Sequence, residues 1–288
     1  MASRAVPGPR PPRARTGPKL GSRLRALVLP AYAHLVILWL FAPIIVMIVF
    51  GFNNTHGRLN IVWSGFTLKW FENPFGVTAL TSAVTTSLVT ATIGAVVSTI
   101  LGTMIALASH RYNFRGKGLL DAIMVMNIAA SEVVMGAALL TLFLAGNVPL
   151  GPVTIVLAQV MFSIPFVAIT VRARLVGFEN ALEESAQDLG ASPWTTFMLV
   201  TLPIIFPGVL AAALLAFALC LDDYVITSFV AGDTQTFPLW VYGATRLGVP
   251  PQVNVIGTFI FMAGVVIAIG FASIQGWRNR RLARESAL

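Results

Sequence analysis

The sequence predicts an all-α, polytopic membrane protein with six transmembrane helices. Of the 288 residues, 57% are hydrophobic and only 10% are charged, a composition that excludes an ordinary soluble domain. The apolar residues form six segments, each long enough to cross about 30 Å of hydrocarbon. We place these spans at 29–52, 80–108, 119–145, 150–171, 198–220 and 254–275. The segment between the fourth and fifth spans is polar and acidic, and it carries a helix–turn–helix pattern of its own.

The positions of the basic residues predict how the chain is oriented. Of the 19 Lys and Arg residues, all except Arg58, Lys69 and Arg246 fall in one alternating set of segments. These segments precede the first span, join spans two and three, begin the loop after span four, or follow span six. Basic residues concentrate on the cytoplasmic side of membrane proteins, so we expect both termini and the acidic loop to be cytoplasmic. The net charge of +8 therefore reflects topology, and we expect no nucleic-acid partner.

The two ends of the chain are basic and flank a transmembrane domain at 29–275. Residues 1–28 are rich in Pro and Arg, and we expect a disordered cytoplasmic tail that contacts anionic lipid. The apolar run that follows is longer than that of a signal peptide, which favours a retained anchor. Residues 276–288 form a second basic cytoplasmic tail. The single cysteine, Cys220, excludes an internal disulfide, and we predict no metal site.

The loop at 176–197 has the pattern of two short helices joined by a glycine turn. An apolar stripe recurs at spacings of three and four, with polar residues on the other side; the stripe is Phe178, Leu182, Ser185 or Ala186, and Leu189, and the polar set is Glu179, Glu183 and Gln187. Gly190 can adopt the left-handed conformation that ends a helix. Ser192 and Pro193 then supply an N-cap and a first-turn proline for the next helix.

The same loop resembles the segment that defines the permease subunits of bacterial ABC importers, whose pattern is Glu-Ala-Ala, then Gly, then Ile-x-Leu-Pro. The matching residues here are Glu184-Ser185-Ala186, Gly190, and Val200 followed by Leu202-Pro203. The resemblance implies a cytoplasmic coupling-helix loop between helices 4 and 5, which docks in a groove on a separate ATPase subunit. The chain has no P-loop pattern, so ATP and Mg would be bound by that partner and this chain would not itself be an enzyme. A surface hairpin without a partner is the alternative.

Acidic residues at membrane depth indicate the chemistry of the solute. Glu132 falls near the middle of the third span, and Asp222-Asp223 follow the fifth span at its outer end. Buried charges in membrane proteins usually mark a pathway or a partner. Carboxylates without a matching Arg or Lys cluster favour a cation over an anion. The alternatives are a packing role for Glu132 and a solvated helix end for the two aspartates.

A second resemblance covers most of residues 30–275 and points to the second permease of spermidine/putrescine transport systems. It is carried by 221–232, which begins Leu-Asp-Asp-Tyr, by Thr236-Phe237-Pro238-Leu239, by 246–254, and by Asn53-Asn54 with 63–70. It implies that Glu132, Asp222, Asp223 and Trp70 act in transport, although Trp70 also fits an interfacial belt. A polyamine would suit this set, because carboxylates bind ammonium groups and an aromatic face binds both cations and methylenes.

The resemblance also implies an assembly in the bacterial inner membrane. The expected partners are a homologous permease subunit, two ATP-binding subunits, an extracytoplasmic substrate-binding protein and membrane lipid. Other cargoes remain open, namely an opine, a cationic amino acid, a betaine or a phosphonate. An ATP-independent secondary transporter is a further alternative. A membrane-embedded enzyme is disfavoured, because no catalytic cluster is visible in the spans.

Overall fold

A computed structural model describes residues 20–55, 60–175 and 180–285, and within these ranges the regular structure is helical. The helices are α1 (Leu20–Gly51), α2 (Lys69–Glu72), α3 (Thr78–Arg111), α4 (Lys117–Ala129), α5 (Glu132–Ala145), α6 (Pro152–Leu175), α7 (Asn180–Asp188), α8 (Pro193–Thr196), α9 (Leu202–Asp222), α10 (Val225–Val230), α11 (Phe237–Leu247) and α12 (Pro251–Glu285), with a π-helical turn at Phe197–Thr201 before α9. Strand-like pairing in the described ranges is limited to a single antiparallel bridge between Asn53 and Phe66.

The long apolar helices confirm the predicted membrane fold. Five helical segments are long and apolar enough to cross a bilayer: Pro30–Gly51, Thr78–Arg111, Pro152–Leu175, Pro193–Asp222 and Pro251–Gly270. They correspond to the first, second, fourth, fifth and sixth predicted spans. Helix α1 begins at Leu20 and α12 continues to Glu285, so both helices extend beyond the predicted spans.

The third predicted span is not one straight helix. Helices α4 and α5 together have the length and hydropathy of a span, but they meet at an angle of 110°. Ala130 and Ser131 between them have extended backbone, with ψ of 142° and 132°, which interrupts the helical hydrogen bonds. The prediction that Glu132 lies in the middle of a continuous helix is therefore wrong, because Glu132 is the first residue of α5. Hydropathy does not register the break, since the residues on both sides of it are apolar.

Three helices, α3, α6 and α9, form the centre of the bundle. Their shared core is built mainly from small and β-branched side chains: Ala95, Ala106, Val167, Val171, Leu175, Ile205, Ala212 and Ala216. Small residues let membrane helices approach closely, which replaces the hydrophobic driving force that is absent in lipid. Gly102 shows how close the approach is, because a Cβ atom there would lie 2.6 Å from Cγ1 of Val167. The loop that contains α7 and α8 thus joins two helices of a tightly packed core.

A second core cluster lies around the short helix α10. It joins α5, α6 and α10 through Met135, Leu139, Phe143, Ile155, Ala158, Ile226 and Val230, with Ala231 directly after α10. Helix α9 has 21 residues, so its two ends are roughly 30 Å apart at 1.5 Å per residue. The α7–α8 loop and the α10 region therefore lie at opposite ends of α9.

Candidate functional site

The glycine turn predicted after α7 is present. Gly190 has a φ of +90° and directly follows Leu189, the residue after α7. The amide of Gly190 donates to the carbonyl of Gln187 at 2.9 Å, and the amide of Ala191 donates to that of Ala186 at 3.1 Å. These two bonds are the paired contacts of a Schellman motif, which satisfies the last carbonyls of a helix. The local sequence therefore defines where α7 ends.

The start of the next helix is also as predicted. Ser192 has extended backbone, and its hydroxyl accepts a hydrogen bond from the amide of Thr195 at 3.2 Å. Pro193 is the first residue of α8. The following π-helical turn was not expected from the sequence, and it delivers Leu202 and Pro203 to the first turn of α9. Such turns are uncommon and often lie at functional sites.

Three large apolar side chains of this loop are exposed. Leu182, Leu189 and Trp194 have exposed fractions of 49%, 90% and 68%. We call these three side chains the apolar loop surface. Glu184 and Ser185 are also exposed beside them, whereas Ala186 is half-buried. Phe178, the remaining member of the predicted stripe, lies outside the described residues. Apolar side chains exposed together on a polar loop are typical of a docking surface.

The inner face of the loop contacts the bundle through one carboxylate. Glu183 forms an ion pair with Arg111, the last residue of α3, and accepts a hydrogen bond from the hydroxyl of Thr201. Arg111 Nη2 also lies 3.2 Å from Oγ1 of Thr201, so the three side chains contact one another. The sequence placed Glu183 on the polar side of α7 but gave no sign of these partners, because they are 72 and 18 positions away.

At the opposite end of α9, the two adjacent aspartates have different environments. Asp223 accepts hydrogen bonds from the amides of Ile226 and Thr227, both at 3.1 Å, and from the Thr227 hydroxyl at 2.6 Å. Its carboxylate therefore caps the N-terminus of α10. Asp222 is exposed and makes no hydrogen bond or ion pair with any residue that the structure describes.

The structure brings Glu132 close to Asp223. Helix α10 packs on α5, which begins with Glu132. Burial raises the pKa of Asp223, its hydrogen bonds to Thr227 and Ile226 partly offset this, and the negative charge of Glu132 raises the pKa further. Glu132 is exposed and, like Asp222, makes no hydrogen bond or ion pair within the described residues. Glu132 and Asp222 thus have open carboxylates, whereas hydrogen bonds from α10 occupy that of Asp223.

Two buried side chains of α6 hold the segment that carries the aspartates. The Gln159 amide donates to the carbonyl of Cys220 at 2.9 Å, near the end of α9. The Thr154 hydroxyl donates to the carbonyl of Val230 at 2.7 Å, at the end of α10. Helix ends leave carbonyls without partners, and in lipid these must be satisfied inside the protein. Span four therefore fixes both ends of the segment around Asp222 and Asp223.

A cavity of about 580 Å³ adjoins Asp222 and is lined by aromatic rings. Tyr224 and Tyr242 both line it, and their ring centroids are 4.7 Å apart. The guanidinium of Arg246 lies 5.5 Å from the Tyr242 ring and donates to its hydroxyl at 3.3 Å, which lowers the pKa of Tyr242. Neither tyrosine was predicted to act at the site from the sequence, although Tyr224 directly follows the two aspartates.

Trp70 does not line the cavity that contains Asp222. It lines a neighbouring groove of about 590 Å³ together with Trp240. Its indole donates to the carbonyl of Asn53 at 2.8 Å, and the Lys69 ammonium lies 5.2 Å from its ring. Helix α11 contributes side chains to both cavities, so it separates Trp70 from the aspartates.

Residues 98–284 match the model of a protein family described as the binding-protein-dependent transport system inner membrane component. The chain belongs to this family. Among similar family members is the spermidine/putrescine transport system permease protein PotC of Escherichia coli K12, 36% identical over 232 residues, which cover 80% of this chain and 87% of PotC. The putrescine transport system permease protein PotI of the same strain is 36% identical over 241 residues, covering 81% and 84%. The predicted resemblance to polyamine permeases is confirmed.

Solved structures confirm the fold of this inner membrane component. A chain of a bacterial ABC transporter involved in the import of alginate superimposes with a TM-score of 0.63 at 18% identity, covering 91% of this chain and 99% of the other. A chain of the methionine transporter MetNI, in an inward-facing conformation, gives a TM-score of 0.54 at 16% identity, covering 69% and 93%. The arrangement of helices is thus that of ABC importer membrane chains.

Proposed function

We propose that this chain is one of two permease subunits of an ABC importer that takes up a polyamine, putrescine or spermidine. It would lie in the bacterial inner membrane with both termini cytoplasmic, beside a homologous permease. Two ATP-binding subunits and an extracytoplasmic substrate-binding protein complete the assembly. The main support is that the fold brings Glu132, at the start of α5, near Asp223, which caps the α10 helix packed on α5, beside the exposed carboxylate of Asp222. The names of the related proteins support the same solute class.

The chemistry of this acidic group suits a linear polycation. Each ammonium group of a polyamine needs negative charge to compensate for the water it loses, and the effect is larger away from bulk solvent. Asp222 and Glu132 are open to supply this charge. Tyr224 and Tyr242 present ring faces in the cavity beside Asp222, where they can contact both a cation and the methylene chain. Trp70 would act at a separate point, in the adjoining groove.

The two aspartates have different roles in this proposal. Asp222 contacts the solute directly, because its carboxylate has no partner within the described residues. Asp223 positions it, since three hydrogen bonds from α10 already occupy its oxygens. Asparagine has one acceptor oxygen where aspartate has two, so Asp223→Asn removes the charge and keeps only part of the cap.

The apolar loop surface supplies the connection to ATP. Leu182, Leu189 and Trp194 would pack into a groove of the ATP-binding subunit, with Glu184 beside them. The loop joins α6 to α9, both of which belong to the central bundle. Closure of the ATPases could then bias the bundle between outward-open and inward-open arrangements.

The proposal is tested with the complete complex in proteoliposomes, with radiolabelled putrescine as the solute. Asp222→Asn should raise the KM of ATP-driven uptake roughly 10- to 100-fold, the range for losing a hydrogen bond to a charged group. Asp223→Asn should raise the KM less than Asp222→Asn does, because Asp223 acts through its bonds to α10 and one acceptor oxygen remains. Asp233→Asn is the matched control, an exposed carboxylate outside the residues that line the Asp222 cavity.

Two results would refute the assignment. Uptake that proceeds without ATP, driven by an ion gradient, would exclude an ABC importer. A KM that does not respond to Asp222→Asn or to Glu132→Gln would remove the acidic group from the pathway.

A further inference from the structure

The loop between spans four and five has an inner contact that docking on an ATPase does not explain. We infer that Glu183, Arg111 and Thr201 form a mechanical link, here called the loop brace, through which movement of α7 reaches α3 directly. The inference rests on the proposed function, because it assumes that an ATPase moves the loop. It adds a route of transmission through the second span, beside the covalent connections to α6 and α9.

The carboxylate of Glu183 is mostly buried. The Glu183 side chain is 14% exposed and that of Arg111 is 33% exposed, whereas the apolar side chains on the outer face of the same loop are largely exposed. Exposed ion pairs contribute little, because water screens them and long side chains must be ordered. A mostly buried carboxylate that accepts hydrogen bonds from two different elements is held much more firmly.

The loop brace connects three separate elements of the chain. Arg111 ends α3, Thr201 ends the π-helical turn, and Glu183 lies near the middle of α7. Helix α3 packs along both α6 and α9 in the central bundle. The brace is a side-chain contact between α7 and α3 that the covalent connections to α6 and α9 do not provide. With it, one contact joins the loop to the second span and to the start of the fifth.

Thr201 lies directly before α9, in the fifth span. It is fully buried, and it lies at the end of the wide turn that leads into α9. A π-helical turn can alter its register more readily than a continuous α-helix, and such turns are frequent at functional sites. The brace therefore holds the π-helical segment of the fifth span, directly before α9.

The chain offers a matched control for an ion pair at the same end of the bundle. Arg172 Nη1 lies 2.8 Å from Asp121 Oδ1 and joins α6 to α4. This pair does not include α7, and its side chains are 29% and 38% exposed. Asp121→Asn thus removes an ion pair between helices without altering the loop brace.

The experiment measures the number of solute molecules transported per ATP hydrolysed, in proteoliposomes that contain the complete complex. Glu183→Gln and Thr201→Val should each lower this ratio roughly fivefold, at the lower end of the usual coupling between distant sites. The ATP-binding subunits should still co-purify at the wild-type stoichiometry, because the apolar loop surface is unchanged. Thr201→Ser retains the hydroxyl and should restore the ratio, and Asp121→Asn should not change it.

Three outcomes of this experiment would overturn the inference. An unchanged ratio in Glu183→Gln means that the contact transmits nothing, and an equal fall in Asp121→Asn indicates a general loss of rigidity. Loss of the ATP-binding subunits from Glu183→Gln would assign the residue to docking. These failures are distinct from failure of the proposed function, in which the wild-type complex itself shows no ATP-driven uptake.

Discussion

Replacing Gly190 with Ala should weaken the attachment of the ATP-binding subunits without disturbing the bundle. Gly190 ends α7 with a φ of +90°, and a Cβ atom there would meet nothing within 4 Å. The substitution therefore causes no clash, and its whole effect is backbone strain. L-residues other than Asn and Asp rarely adopt positive φ, and the cost of forcing them is about 1–2 kcal/mol.

This cost sets the expected change in affinity. If docking requires the observed turn, a strain of about 1–2 kcal/mol lowers the population of the competent loop, and the Kd for the ATP-binding subunit rises roughly 5- to 30-fold. Asn tolerates the left-handed region better than Ala does, so Gly190→Asn should lie between Ala and wild type. The Kd is measured by titrating fluorescently labelled ATP-binding subunit onto the permease complex in nanodiscs.

Gly116 provides the control for this experiment. It precedes α4 with a φ of +103°, and its Cβ position is likewise empty within 4 Å. Gly116→Ala thus introduces the same kind of strain outside the loop, and the Kd should stay within about twofold. If Gly190→Ala leaves the Kd unchanged, or if both substitutions raise it equally, then the turn at Gly190 does not shape a docking surface.

Two further substitutions test the packing around the acidic group. Thr154→Val should destabilise the protein by about 1–3 kcal/mol, because the buried carbonyl of Val230 loses its donor; thermal unfolding in detergent should show this as a lower Tm. Thr141→Val is its control, since the Thr141 hydroxyl bonds only within its own helix and is exposed, and a matching fall in Tm would contradict the explanation. Gly136→Ala should cost about 1–3 kcal/mol through overpacking, because the new Cβ would lie 2.5 Å from Cδ2 of Phe229. An unchanged Tm would show that Phe229 can move away at no cost.

Several features of the loop could be predicted because they depend on neighbouring residues alone. A glycine that ends a helix and a serine that caps the next one act through backbone bonds within five positions, as Gly190 and Ser192 do here. The spans could be predicted for a similar reason, since hydropathy depends on composition within a window of about 20 residues.

The break at Ala130 and Ser131 could not be predicted in this way. Both residues are compatible with a helix, and the angle of 110° is set by how α4 and α5 pack on different neighbours. The different roles of the two aspartates could not be predicted from the sequence either. Adjacent identical side chains are indistinguishable in sequence, and only the path of the backbone decides that Asp223 caps α10 while Asp222 remains open.

The sequence by itself determined the membrane fold, the loop with its glycine turn, and the residue types that a cation pathway needs. These depend on hydropathy and on hydrogen bonds between near neighbours, which are readable from short stretches of chain. The tertiary structure alone decided that Glu132 lies near Asp223, that Trp70 lines a different cavity from Asp222, and that Glu183 contacts Arg111. Glu183 and Arg111 are 72 positions apart, and Glu132 and Asp223 are 91 apart, while the place of Trp70 depends on the packing of α11; no local pattern encodes such long-range arrangements.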